Sequence, residues 1–287
     1  MQVLVIGANG QLGTALCDAF ADVSVLRADL DGTHHLVDIS QEEQVFRLII
    51  DELRPDLVIN TAAAHSLPLC EKHPGLSFAV NAAGPGHLAT ACKHAGARLV
   101  HISTDYVYGD GGNRPFTEKD LPAPLSVYGA SKLAGEHLVA ARCENHLIIR
   151  TAALYGPAPC RAKGGLNFVD TMLHQAKAGS EVRVVDDETT TPTFTSALAH
   201  QIRVLAEKAA PGLYHATCQG ECSWYAFAEA IFAEAGVEAE LVRVSGAKFQ
   251  LPVRRPAYSV LDNTHARAQG LDEMPTWRDA LREYLAN

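Results

Sequence analysis

The chain has 287 residues, of which 47% are hydrophobic and 20% charged. That balance is enough to bury a large core, as one domain or a domain with a smaller lobe, and it excludes a disordered, collagenous or coiled-coil chain. A formal net charge of −9 without a basic run argues against nucleic-acid binding and against docking on anionic membranes.

The N-terminal stretch Met1–Gly7 reads as a strand rather than a leader, and no apolar run reaches the roughly 18 residues a membrane span needs. The seven cysteines are odd in number and scattered, which points to reduced, mostly buried thiols in a cytoplasmic protein. His215, Cys218 and Cys222 form one cluster, but a fourth ligand is missing, so no metal is expected.

In chain order, Val3–Ile6 reads as a strand, followed by a glycine-rich turn and a helix marked by Leu12, Leu16, Ala19 and Phe20. Strands are predicted at Val23–Leu26, His35–Val37, Leu57–Asn60, Leu99–Ser103 and His146–Arg150. Helices are predicted at Glu42–Leu53, at Phe78–Ala95 with a bend near Gly84-Pro85-Gly86, and at Ser131–Arg142. Apolar strands alternating with helices give βαβ units, hence an α/β fold: a Rossmann-type doubly wound parallel sheet. Residues 1–152 are expected to form that dinucleotide-binding domain, rejoined by part of 193–217. Residues 153–287 are expected to form mainly a smaller, interleaved substrate lobe. In it, 156–165 is a loop, Phe168–Ala178, Ser196–Ala209, Ser223–Ala235 and Trp277–Leu285 are helices, and Glu181–Val185 is a strand. Pro252, Pro256 and Pro275 punctuate the tail.

The turn Gly7-Ala8-Asn9-Gly10-Gln11-Leu12-Gly13 lies between the first strand and helix, where a dinucleotide is bound. Gly7 permits the tight turn, Gly10 lets the backbone approach a pyrophosphate, and Gly13 lets helix and strand pack closely. The helix N-terminus offers free N–H groups to phosphate. After the second strand, Arg27 suits the 2′-phosphate of NADPH and Asp29 suits the ribose hydroxyls of NADH; Arg27 reads equally as a solvated surface charge. NADPH is the favoured cofactor, with NADH open.

Tyr128 and Lys132 stand four apart at a helix start, on one face. An ammonium there is expected to lower the phenol's pKa, so that Tyr128 gives a proton to an alkoxide as hydride arrives. Thr104, near the carboxyl end of the preceding strand, can hold the carbonyl oxygen of a substrate. Arg255 suits a nucleotide diphosphate, because its fork is bidentate. His101 reads as a structural histidine.

In these residues the sequence resembles the extended short-chain dehydrogenases/reductases, and within them the dTDP-4-dehydrorhamnose reductase group. Besides the turn, the resemblance is carried by Asn60-Thr61-Ala62-Ala63, Val80-Asn81-Ala82, Ser103–Gly109, Tyr128–Glu136, Ile149-Arg150-Thr151, Asn167-Phe168-Val169, Pro192-Thr193 and Arg255-Pro256. It implies a catalytic set of Thr104, Tyr128 and Lys132. It implies cofactor contacts at Asn9, Gly10, Gln11, Leu12, Asp38, Ile39, Ala62, Ala63, Ala64, Asn81, Tyr128 and Lys132. Thr104, Asp105 and Tyr128 then face a nucleotide-sugar substrate. A homodimer stays open.

Among the departures in the substrate half, Pro68 replaces the family's aspartate, which predicts a reshaped loop, Ala153 stands where a tryptophan lines the sugar pocket, and Thr190 stands where a glycine is usual. The resemblance thus implies an NAD(P)H-dependent reductase of a nucleotide-activated 4-keto-deoxysugar, with dTDP-4-dehydro-L-rhamnose the leading substrate. Two other readings stay open: a reductase or epimerase of another keto-sugar, and a non-catalytic NADP-binding regulatory subunit like that of methionine adenosyltransferase.

Overall fold

Strand β1 (Gln2–Ile6) is apolar on both faces, and the alternation of a strand sends Val3 and Val5 into one core cluster and Leu4 and Ile6 into the other. This is seen in a computed structural model, which describes every residue except 33, 111, 113, 162, 163, 180, 247–252 and 287; Pro252 lies outside the described residues. The same double burial holds for β4 (Leu57–Asn60) and β5 (Arg98–Thr104). Helices therefore cover the sheet on both sides, as an all-parallel sheet requires.

Among the described residues the sheet has seven parallel strands. From one edge the order is Gly212–His215, β6 (His146–Thr151), β5, β4, β1, β2 (Ser24–Asp29) and β3 (His35–Leu36). The chain winds outward from β1 through β2 to β3, then crosses to the other side of β1 for β4, β5 and β6. That reversal between β1 and β4 opens the crevice in which doubly wound sheets bind ligands. Beyond β6, short strands pair Val182–Val185 with Leu241–Val244 and Thr189–Thr190 with Cys222–Ser223. Phe168, Trp224 and Phe227 join the helices Phe168–Lys177 and Trp224–Ala235 by ring contacts.

Several elements differ from the sequence expectation. β2 runs on to Asp29, because its pairing with β1 continues through Val5↔Arg27 and Ile6↔Ala28; Arg27 lies inside the strand and Asp29 at its end. The helix expected over 42–53 is α-helical only for Glu42–Phe46, continues as a π-helix over Arg47–Leu53, and stops at Arg54 in the left-handed region (φ 47°). The helix bearing Tyr128 begins at Val127 rather than at Ser131, because Ser126 Oγ caps it by accepting the Gly129 N–H at 3.2 Å. Pro68 stands in the first turn of a helix, Leu67–Lys72, where its missing N–H has no intrahelical role.

All seven cysteines are buried and free. No helix among the described residues is long and apolar enough to cross a membrane.

Candidate active site

The turn after β1 is built for close approach. Gly7 has φ +78°, and an added Cβ there falls 2.6 Å from Thr61 Oγ1; at Gly13 it runs into the Gly7 carbonyl oxygen. Only glycine fits both places, so α1 (Gln11–Ala19) starts hard against the turn. Gly10 N–H closes the turn on Gly7 O at 3.0 Å. Thr61 Oγ1, just past β4, donates to Ile6 O at 2.8 Å and pins the two strand ends together. No side chain among the described residues caps α1, and its first turn holds no acidic residue. Its N–H groups and dipole are left for an anion, and the narrow glycine cradle fits the pyrophosphate of a dinucleotide. Leu12 is buried beneath the turn, and Gln11 Nε2 donates to Gly156 O at 3.4 Å.

The other sequence-predicted cofactor residues surround this crevice. Asn9 N–H donates to Asp29 Oδ2 at 2.9 Å, joining the turn to the end of β2. Asp38 accepts from Ser40 N at 2.9 Å, and buried Ile39 follows it after β3. Ala62, Ala63 and Ala64 leave the end of β4. Asn60 Oδ1 accepts the Ala62 N–H at 3.1 Å, and Asn81 clamps Ala64 from both sides, accepting its N–H at 2.8 Å and donating to its carbonyl at 2.9 Å. Asn81 also donates to Ser131 Oγ at 3.0 Å, and Ser131 Oγ donates to the Tyr128 carbonyl at 2.8 Å. The Ala62–Ala64 segment is thereby tied to the helix that carries Tyr128. Arg27 lies inside β2, with its charge within reach of Cys17 of α1.

Thr104 ends β5. Its Oγ1 donates to Asp105 Oδ1 at 3.0 Å and accepts the Tyr106 N–H at 3.1 Å. Tyr128 reaches the same spot, close enough for the Thr104 side chain to act on its phenol, and packs edge-on against Tyr106 with ring centroids 6.1 Å apart. Four residues on, Lys132 is buried and donates to Ile102 O at 2.6 Å, with His101 Nε2 at 3.5 Å. Asn60 Nδ2 contacts the other ring nitrogen of His101 at 3.1 Å, so this histidine is part of the support beneath Lys132.

The electrostatics correct one expectation. Burial raises the Tyr128 phenol above its ordinary range; the charges of Asp105 and Cys70 raise it further, and only the Thr104 hydrogen bond pulls it down. Lys132 does not lower it, because the ammonium is turned to the Ile102 carbonyl. Burial brings Lys132 itself down to about 8. Asp105 is pushed up to about 6 by burial, against hydrogen bonds from Ser259 and Thr104. A phenol that holds its proton at neutral pH is a donor, not a base, and it is aimed where Thr104 can share an oxygen with it.

Ala153 lies two residues past Thr151, the β6 partner of Thr104, with φ +46°. Arg255 lies 3.9 Å from Glu188 and within charge range of Tyr106, and its buried Nε has no hydrogen-bond partner among the described residues. Behind the site, Glu136 and Arg150 pair inside the protein, and Ser103 Oγ donates to Glu136. Sequence reasoning assigned no role to this pair, to Ser259 or to Arg161, which reaches Asp29 from a loop distant in sequence.

Comparison with known proteins gives a family model, the RmlD substrate binding domain, matched over residues 1–287. The chain is 39% identical to the spore coat polysaccharide biosynthesis protein SpsK of Bacillus subtilis, covering 99% of this chain and 96% of that protein. It is also 39% identical to the dTDP-4-dehydrorhamnose reductase of Streptomyces griseus, covering 98% of this chain and 91% of that protein. Among solved structures, dTDP-4-dehydrorhamnose reductase from Bacillus anthracis in complex with NADP superposes with a TM-score of 0.93 at 34% identity, covering 99% of this chain and 98% of that one.

Proposed function

The chain belongs to the dTDP-4-dehydrorhamnose reductase family, and from that premise we propose that it is an NADPH-dependent oxidoreductase that reduces dTDP-4-dehydro-L-rhamnose to dTDP-L-rhamnose. The observation that carries the proposal is the meeting of Thr104 and Tyr128 at the carboxyl end of β5, one strand from the glycine turn. The turn Gly7–Gly13 and the Ala62–Ala64 segment would hold NADPH, which would supply the hydride for C4 of the sugar.

The chain's own residues handle the oxygen and its proton. Thr104 and Tyr128 hold the C4 oxygen between them, and Tyr128 transfers its proton as negative charge develops there. The same environment that keeps the phenol protonated makes it a ready donor to an alkoxide, whose conjugate acid is weaker still. Lys132, once turned from the Ile102 carbonyl, supplies a positive charge near the resulting phenolate. Asn81 keeps the Ala62–Ala64 segment and the Tyr128 helix in register. Arg255, with an unpartnered Nε, fits the diphosphate of the nucleotide. Ala153 leaves open the wall that a tryptophan would fill. We place the enzyme in the cytoplasm, supplying activated rhamnose for surface polysaccharide.

The test is product analysis with purified protein, substrate generated in situ, and NADPH. One NADP+ formed per dTDP-L-rhamnose is the expected outcome. A changed sugar without net oxidation of NADPH makes the protein an epimerase and refutes the proposal.

A further inference from the structure

The end of β2 carries two carboxylates, and they pose an electrostatic problem for a protein that uses NADPH. Asp29 and Asp31 stand at the end of β2, the place from which a dinucleotide fold would meet the adenosine ribose, beside the turn that Asn9 joins to them. Asn9 N–H donates to Asp29 Oδ2 at 2.9 Å and its side chain donates to Asp31 O at 3.0 Å. A carboxylate at this place accepts ribose hydroxyls and repels a 2′-phosphate. Arg27, the cation that the sequence offers nearby, stands inside β2 opposite Val5, with its charge within reach of Cys17.

A different arginine reaches the spot. Arg161 Nη1 lies 3.3 Å from Asp29 Oδ1, and its Nη2 donates to Asp31 at 2.7 and 2.5 Å. The loop that presents it is anchored on both sides. Gly156 O accepts from Gln11 Nε2 of the glycine turn at 3.4 Å and from Asn167 Nδ2 at 2.9 Å, and Cys160 and Gly165 exchange two backbone hydrogen bonds of 3.0 Å. The segment from Gly156 to Arg161 thus runs from the glycine turn to the end of β2, and Arg161 follows directly on the Cys160 pairing.

Asp29 is largely buried and already committed to the backbone, accepting Leu30 N–H at 2.8 Å as well as Asn9 N–H. Asp31, by contrast, has a side chain that is 62% exposed, and the Arg161 side chain is 46% exposed. A fork–carboxylate pair as open as that is worth little, and a dianionic phosphate monoester is a stronger partner for the same guanidinium.

We propose that Arg161 is the residue that selects NADPH over NADH, exchanging its Asp31 partner for the adenosine 2′-phosphate. This rests on the dinucleotide reading of the crevice but not on the identity of the sugar. Arg161 neutralises the carboxylates at the end of β2 and supplies the fork that the phosphate needs, while Asp29 stays in place as the organiser of the turn.

The experiment is calorimetric titration of the folded, full-length protein with NADPH, NADH and 2′,5′-ADP, for wild type, Arg161→Ala, Arg161→Lys and Asp31→Asn. Arg161→Ala is expected to weaken NADPH and 2′,5′-ADP by about tenfold or more while leaving NADH within about twofold. Arg161→Lys should retain part of the preference, and Asp31→Asn should tighten NADPH by removing the competing carboxylate. Equal loss for NADPH and NADH in Arg161→Ala would make the residue a mere loop anchor, and no loss for either would exclude it from the site; both overturn the proposal. If the wild type binds neither coenzyme, the dinucleotide reading fails and this one fails with it.

Discussion

Glu136 and Arg150 form a two-point ion pair inside the protein, Arg150 Nη2 donating to Oε2 at 2.6 Å and Nε to Oε1 at 2.9 Å. The pair joins the helix Val127–Arg142 to β6, and Ser103 Oγ adds β5 by donating to the same carboxylate. Tyr128 and Lys132 ride on that helix and Thr104 ends that strand, so the pair fixes the distance across which the proposed chemistry takes place. Tyr108 Oη accepts a further hydrogen bond from Arg150 at 2.6 Å and meets His215 Nε2 at 2.9 Å.

Removing one member leaves the other charge buried without compensation. Glu136→Gln is therefore expected to destabilise the fold by about 3–5 kcal/mol, measured by denaturant titration. A loss below about 1 kcal/mol would mean that the pair is not the clamp described.

Asp105 provides a pH signature. Its folded pKa, about 6, lies above its ordinary value of 3.8 because burial disfavours the anion. A raised carboxyl contributes stability in full below its unfolded pKa and loses it as pH rises through the folded one. Asp105→Asn, whose side chain stays neutral, is therefore expected to gain on wild type across pH 4 to 6, by an order of about 3 kcal/mol, and to keep that gain at pH 7.5. The measurement is the stability difference between the two proteins at pH 4 and pH 7.5; a difference independent of pH contradicts the assignment.

Ala153 sits at φ +46°, a conformation unfavourable for any residue with a Cβ. Ala153→Gly relieves that strain, offset in part by the greater freedom of glycine in the unfolded chain. A net stabilisation of about 0.5–1 kcal/mol is expected, read from the shift in denaturation midpoint. Destabilisation would show that the Ala153 methyl group makes packing contacts worth more than the strain.

What was legible in the sequence was local. Strand, glycine turn and helix follow one another within residues 2–19, and the Tyr128–Lys132 spacing needs only one helical turn, so both could be read directly. The parallel sheet followed from the alternation of apolar strands with helices. What was hidden depends on contacts between distant segments. Arg161 meets Asp29 across 132 residues, and no periodicity in either segment announces it. The pKa of Tyr128 departs from the spacing-based expectation for the same reason: helix spacing brings Lys132 near, but the carbonyl of Ile102 on another element takes its ammonium. The π-helix at Arg47–Leu53 was invisible because its apolar pattern also suits an α-helix. Pro68 looked disruptive in a loop, yet it occupies a helix's first turn, a position that proline tolerates.

The most direct test of the central claim is the rate of NADPH oxidation with dTDP-4-dehydro-L-rhamnose, followed at 340 nm for wild type and Tyr128→Phe, with NADPH affinity measured on both. If Tyr128 is the proton donor, the variant loses turnover by about a hundredfold or more, while its affinity for NADPH stays within about twofold. Turnover that survives the substitution at a comparable rate would contradict the role of Tyr128 and the mechanism built on it.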